Sequence, residues 1–328
     1  MTLRRRLLLA LSTALAATST AAAADLDVPG QFATIQAAVD VAAPGDRIRI
    51  ADGEYDELVV LQNKSDLVLK GDDDVRVRQM EVRDCLQLSI KELTFTGAQG
   101  VAEHQLRIEE SIGVDVRLCS FEGGFVGFSA SSCEEVTLRD STITPTSVGF
   151  LVLQSDDCRI SATVKKAPGG NHVASSSKIT VEESKLVLAD LAVFSSDLTT
   201  IRDNQLKRCG LSIHGSSQAL IEGNRFKKGV GPANGPAAMN LTDTDASTIL
   251  SNTSKKATFD GLALDAASDG NLLLDNALKK SGDNGIRVGG VANTIAGNRI
   301  KKSGNFDLFV NDPNANAIGD NLLGNKNF

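Results

Sequence analysis

Thr294-Ile295-Ala296-Gly297-Asn298-Arg299-Ile300-Lys301-Lys302 contains the pattern from which most of the chain is built. Apolar residues alternate with polar ones on both sides of a Gly-Asn pair, which reads as two short strands meeting at a tight turn. The second half of this stretch returns as Asn204-Gln205-Leu206-Lys207-Arg208, Asn224-Arg225-Phe226-Lys227-Lys228 and Asn276-Ala277-Leu278-Lys279-Lys280. Asn252-Thr253-Ser254-Lys255-Lys256 is a weaker copy, and Asn321-Leu322-Leu323 closes the series. The asparagines are 20, 28, 24, 22 and 23 residues apart. Upstream, Phe95, Phe121, Ile143, Val164 and Leu186 occupy the slot of Leu206, at intervals of 26, 22, 21, 22 and finally 20 residues. A period of that length, with no helix-sized segment inside it, is the mark of a solenoid whose repeats bury their apolar side chains only by stacking.

The expected fold is therefore all-β: one single-domain parallel β-helix of about a dozen coils over residues 25–328, with strands of neighbouring coils ~4.8 Å apart. Composition agrees, because a chain with no Trp, one Tyr and 29 Gly has to build thin aliphatic layers rather than an aromatic core. The missing Leu-x-x-Leu-x-Leu run argues against a leucine-rich horseshoe. The recurring Asn is expected at the turn itself, in a left-handed conformation, passing amide hydrogen bonds to the Asn of the next coil. The open end of the first coil needs a cover. Phe32, Ile35, Val39 and Ala42 or Ala43 share one helical face, which predicts an α-helical cap over about residues 32–43, stopped by Pro44-Gly45-Asp46.

The two ends of the chain differ in character. Arg4-Arg5-Arg6, an apolar run from Leu7 to Ala17 and the small residues Ala22-Ala23-Ala24 form the three regions of an export signal. Residues 1–24 are thus expected to be a cleaved signal peptide, leaving a secreted or periplasmic protein with no membrane attachment. The five cysteines, Cys85, Cys119, Cys133, Cys158 and Cys209, have no zinc-ligand spacing. Cys133 and Cys158 lie about one coil apart, which leaves open a disulfide on one side and buried free thiols on the other.

Ala33-Thr34-Ile35-Gln36-Ala37-Ala38-Val39, then Pro44-Gly45-Asp46-Arg47-Ile48-Arg49-Ile50, then Gly53-Glu54-Tyr55-Asp56-Glu57 resembles the opening of pectin-lyase-like right-handed β-helix proteins. That superfamily includes pectinesterases, polysaccharide lyases, alginate epimerases and β-helix repeat proteins without assigned activity. With the Asn repeats, the resemblance covers nearly the whole chain after residue 24. It implies right-handed coiling and a carbohydrate partner. Catalytic motifs do not carry over. The Gly53–Glu57 stretch is similar to the first pectinesterase motif, but the later motifs are missing. Asp156-Asp157 is similar to the paired Asp of polygalacturonases without the accompanying Gly-His-Gly, and reads most simply as a polar turn. In Asn311-Asp312-Pro313-Asn314, Asn314 stands where the Asp-Pro-His motif of alginate epimerases has its His.

The feature with functional content is a dibasic ladder. Lys165-Lys166, Lys207-Arg208, Lys227-Lys228, Lys255-Lys256, Lys279-Lys280 and Lys301-Lys302 each follow the apolar slot, so winding the chain stacks them in one column. Counted along the sequence, residues 25–200 hold 16 basic and 29 acidic side chains, and residues 201–328 hold 15 and 12. Two readings are open: solubilising lysines neutralised by neighbours such as Asp265 and Asp283, or a stripe that tracks an anionic polysaccharide. A net charge of −7 together with export disfavours nucleic acid. The expected function is binding of an acidic polysaccharide along this basic face, the alternative being a lyase, epimerase or glycoside hydrolase acting on polyuronate. Of the three His, His104 and His214 lie apart in sequence, and His172, in a loop-like stretch, is a candidate acid or base. No cofactor is implied beyond a calcium ion at Asp243-Thr244-Asp245 or Asp72-Asp73-Asp74, neither of which is a full loop motif.

Overall fold

The computed structural model describes residues 22–97, 103–230 and 236–324. The export segment expected at the N-terminus therefore falls, up to residue 21, outside the described residues. The described residues wind into an all-β right-handed parallel solenoid of about thirteen coils in one domain. One coil shows how the sequence closes on itself. Leu191–Phe194, Thr200–Arg202 and Gln205–Lys207 are its three strands, and each pairs in parallel with its counterpart one coil on: Leu211–Ser217, Leu220–Glu222 and Arg225–Lys227. Repetition of that step gives three sheets, numbered 1, 2 and 3 in the order of those strands.

Inward side chains form unbroken stacks. Val193, Ile213 and Leu241 lie behind sheet 1, Ile201, Ile221 and Ile249 behind sheet 2, and Leu206 and Phe226 behind sheet 3. The slot predicted from Phe95 to Leu206 is the inward column of sheet 3, and its residues are in register coil after coil. Near its start the column holds a stacked Phe95–Phe121 pair, ring centroids 5.1 Å apart.

The corners differ from the expectation. The left-handed residue is not the Asn but the one before it: Asp203 (φ 55°), Gly223 (φ 66°), Ser251 (φ 56°), Asp275 (φ 54°) and Gly297 (φ 68°). Each coil turns at several such positions. In the coil above they are Ser195, Leu198, Asp203 and Arg208, with φ of 45–55°. A left-handed non-glycine residue costs ~1–2 kcal/mol. The strain is offset because the same residue keeps its backbone N–H pointing along the axis: Ser195, Leu198, Asp203 and Arg208 donate to His214, Ser217, Glu222 and Lys227 of the next coil at 2.9–3.2 Å. The inter-coil ladder thus runs through the turns without a break.

In this coil the residue after each corner points inward and is small or polar: Ser196, Thr199, Asn204 and Cys209, whereas Leu67, Leu93, Val136 and Ile179 take the position in earlier coils. Here the asparagines stack as expected. Asn252 is the clearest case. Its Oδ1 accepts from the backbone N–H and Nδ2 of Asn224, both at 3.0 Å, while its Nδ2 donates to Ile221 O at 2.7 Å and Asn276 Oδ1 at 3.1 Å. Both lone pairs and both amide hydrogens are used, fully buried. The column runs from Asn204 to Asn321, and serine takes over upstream, where Ser184 N donates to Asn204 Oδ1.

All five cysteines occupy the same post-corner position and are buried free thiols. Cys133 donates its backbone N–H to Ser155 Oγ, whereas Cys158 sits above Val136 in the neighbouring column, so the two never stack. Burial raises the thiol pKa throughout, to about 12 for Cys119, Cys158 and Cys209.

The cap is a single helix, Ile35–Val41, shorter than predicted, with Ile35, Ala38 and Val39 buried and Thr34 capping its start. Glu57 completes it: its carboxylate accepts from the Ile35 and Gln36 N–H groups at 2.9 and 3.0 Å. The Gln36 side chain donates to Val60 O and accepts from Val60 N at 3.1 and 2.7 Å, standing in for a strand on the exposed sheet edge. The Gly53–Glu57 stretch therefore has a structural use.

Replacing Asn252 with Ala removes four buried hydrogen bonds at once, so it is expected to lower stability by about 3 kcal/mol, read as a fall in the midpoint of chemical denaturation. The thiols generate a second expectation. Native protein at pH 8 should give no reaction with Ellman's reagent while denatured protein releases five equivalents, and a mass consistent with a disulfide in the denatured, unreduced protein would contradict the arrangement.

Candidate functional site

The strands of sheet 3 are three residues long in the C-terminal half, with the central residue inward and its two neighbours outward. Lys207, Lys227, Lys255, Lys279 and Lys301 are consequently in direct register on five consecutive coils. Lys165 belongs to the same column but is separated from Lys207 by Val187, so the ladder is continuous only from Lys207 onward. The second member of each pair, Lys166, Arg208, Lys228, Lys256, Lys280 or Lys302, is the left-handed corner residue at the sheet's margin (φ 53–62°).

Sequence reading missed Arg225 and Arg299. They lie two residues before Lys227 and Lys301, hence on the same outward face. The strand period of two in Asn-Arg-Phe-Lys-Lys and Asn-Arg-Ile-Lys-Lys was the available signal. Lys255, Lys279, Lys301 and Arg299, with the backbone and short side chains of Ala277 and Thr253, line a shallow groove of about 310 Å³.

Among the described residues, none of the twelve ladder side chains makes an ion pair with a carboxylate. The two aspartates that could have neutralised them are engaged elsewhere. Asp265 accepts from Asp243 N and Ser268 Oγ, and Asp283 from Asn305 Nδ2. A second basic column shows what neutralisation looks like in this fold. On sheet 2, Arg49, Lys70, Lys91, Arg117 and Arg139 stack in the same way on successive coils. There Arg49 pairs with Asp25 and Asp27, Lys70 with Glu92, and Arg139 with Asp115 at 3.0 Å.

Other charged candidates are structural. Glu182 is buried and held between the guanidinium groups of Arg159 and Arg202. Asp260 is buried against Arg287 Nε (2.7 Å) and Asn284. Asp156-Asp157 lies at a corner, with Asp157 left-handed and Asp156 held below the usual carboxylate range by Ser177 Oγ and Lys178. Asp312 caps the short 3-10 turn Pro313–Ala315. Asp245 Oδ1 accepts from Asp269 N, and no three His, Cys, Asp or Glu side chains converge among the described residues. No described helix is long and apolar enough to cross a membrane.

The histidines are not scattered in space: all three are on sheet 1. His104 Nδ1 is 2.6 Å from Ser129 Oγ, and burial pushes its pKa down. His172 and His214 lie further along, on either side of Phe194.

Residues 126–321 match the family model described as "Right handed beta helix region". Among curated proteins, none matches the chain by sequence. Solved structures with the same course include the mannuronan C-5 epimerase AlgE6 A-module of Azotobacter vinelandii, at 14% identity and TM-score 0.63, covering 89% of this chain and 95% of that one. DFA-IIIase from Arthrobacter chlorophenolicus A6 in complex with GF2 has 14% identity and TM-score 0.69, covering 89% and 98%. The catalytic domain of a GH87 alpha-1,3-glucanase in complex with tetrasaccharides has 9% identity and TM-score 0.63, covering 94% and 70%. At these identities the fold is what is shared.

Unpaired lysines ~4.8 Å apart repel by ~1 kcal/mol per pair before salt screening. Changing Lys255 and Lys279 to Gln is therefore expected to raise the melting temperature by a few degrees at low salt, with the gain vanishing near ~0.5 M salt. Changing Arg139, which is paired, to Gln should give no gain at either.

Proposed function

Because the chain belongs to the right-handed β-helix family, a fold that hosts unrelated chemistries, its function has to be read from its faces, and we propose that it is an exported protein that binds an anionic polysaccharide along sheet 3. The observation that carries this reading is the column Lys207–Lys227–Lys255–Lys279–Lys301, stacked over five coils without carboxylate partners and widened by Arg225 and Arg299. Like charges held in register lower stability, and a compensating polyanion relieves that repulsion. A polyuronate carries one carboxylate per sugar, so a chain lying along the axis would bring several anions over the lysine column. The Arg4–Ala24 segment supports export, with the domain running from Asp25 to Phe328.

A second reading, a carbohydrate-active enzyme, is supported by the structural neighbours, among which are an epimerase and a glucanase. Retention on immobilised alginate and pectate tests the first reading, and the products released from them test the second. Binding is expected at ~20 mM salt, lost near ~0.5 M, and weakened at least about tenfold when Lys227, Lys255, Lys279 and Lys301 are all changed to Gln. Unchanged retention by that variant would sink the reading, while release of unsaturated sugars would establish the lyase alternative.

A further inference from the structure

Sheet 1 faces away from the basic stripe and has a different chemistry. Its outward positions run through two columns. His172, Ala192, Ser212 and Asn240 occupy one, and Ala174, Phe194, His214 and Thr242 the other. Ala192 and Ser212 are short, so the rings of His172, Phe194 and His214 stand around a depression of about 320 Å³, bounded on one side by the Pro168-Gly169-Gly170 turn. That volume is within the usual range of small-ligand sites.

Three details point to a ligand. Phe194 is 38% exposed within a strand of a solvent-facing sheet, whereas the other exposed phenylalanines among the described residues, Phe125, Phe259 and Phe306, lie outside the strands. Two of the three histidines in the sequence flank it, with ring centroids 6.3 Å (nearly parallel) and 6.5 Å (edge-on) away. His172 Nε2 donates to Gly169 O at 2.6 Å, which orients the ring and, in its neutral form, leaves Nδ1 as the hydrogen-bond acceptor. An aromatic face beside fixed imidazole and amide groups matches a sugar ring, whose C–H face packs on the aromatic while its hydroxyls take the hydrogen bonds.

Charge selects among sugars. Among the described residues no Lys or Arg lines the depression, and Asp190 Oδ1 accepts there from Gly210 N at 2.8 Å. A uronate would find no lining cation to pair with its carboxylate. We propose that Phe194, His172 and His214 form a binding subsite for one uncharged sugar ring, distinct from the basic face and independent of it.

With only three histidines, their ring C–H resonances report directly on the subsite, and His104, further up sheet 1, is an internal control. The titrations are run at ~0.5 M salt, where binding to the lysine column is screened. The probes are an α-1,3-linked glucotetraose, a β-1,4-linked glucotetraose and a tetramannuronate. The expected result is that at least one neutral tetrasaccharide moves the His172 and His214 signals and not that of His104. Phe194→Ala should weaken this at least about tenfold, Phe194→Leu should do the same while retaining apolar bulk, and the four-lysine Gln variant should leave it intact. Failure of both neutral probes to move the two signals overturns the proposal, as does movement that survives in both Phe194 variants. Equal or stronger movement with tetramannuronate overturns the assignment to an uncharged ring. Failure of polyanion retention alone leaves this subsite standing.

Discussion

An uninterrupted set of backbone hydrogen bonds between coils is the constraint on which this molecule depends. A strand that turns a corner normally loses its alignment with the strand beside it. Here the corner residue adopts a left-handed conformation that bends the chain by one residue while its N–H still donates to the next coil, as Lys228 donates to Lys255 O at 2.9 Å. The residue after the corner then faces inward. Asn, Ser, Thr, Ala and Cys fill most of these positions, with Leu67, Leu93, Val136 and Ile179 as larger exceptions, and those with hydroxyls or amides bond along the axis as the backbone does. The Asn column, the Ser column and the position of every cysteine are consequences of this one geometry.

Constant register has a further effect: whatever residue type recurs in the sequence becomes a line on the surface. Two basic lines arise in this way, and their surroundings separate them. On sheet 2 three of the five stacked cations, Arg49, Lys70 and Arg139, pair with carboxylates, which offsets much of the repulsion of stacking, while Lys91 and Arg117 make no ion pair among the described residues. On sheet 3 the carboxylates are elsewhere. A fold stabilised mainly by hydrogen bonds and aliphatic stacking tolerates a line of unpaired charge, but the charge itself contributes nothing to folding. That asymmetry is why the sheet 3 column is read as a surface for a partner and the sheet 2 column as part of the scaffold.

The amount legible from sequence is governed by the same physics. The inward slot from Phe95 to Leu206 was readable because apolar side chains must stack, so their spacing reports the coil length directly. The corner was misassigned because Asn is a familiar left-handed residue, whereas Leu198 and Arg208, which no propensity favours there, adopt that conformation under the demand of the inter-coil ladder. Glu57 was read through a family motif, although its position 21 or 22 residues from the helix amides it caps only makes sense once the first coil is closed. The His172–Phe194–His214 group has intervals of 22 and 20 residues, the first being one coil of 20 plus a strand step of two and the second one coil of 20. It escaped notice because the histidines were compared with each other and not phased against the repeat.

The three-sheet cross-section finally explains how two surfaces of opposite character coexist. Sheet 1 and sheet 3 meet at the corner that holds Arg208, Lys228 and Lys256, and beyond it they face different directions. A polymer lying along the axis on one sheet does not sterically exclude a ligand on the other. Electrostatically they are kept apart as well, because the middle of sheet 1 carries Ala192, Ser212, Asn240 and Thr242 at its outward positions, and its ion pairs lie to either side, as Arg83 with Glu109 in the N-terminal coils and Arg287 with Asp260 towards the C-terminus. The lysine column exerts little pull on a ring seated against Phe194 that carries no charge, and salt screens what remains over ~8–10 Å. Salt therefore acts on one face and leaves the other untouched, which makes the two faces physically separable within a single rigid scaffold.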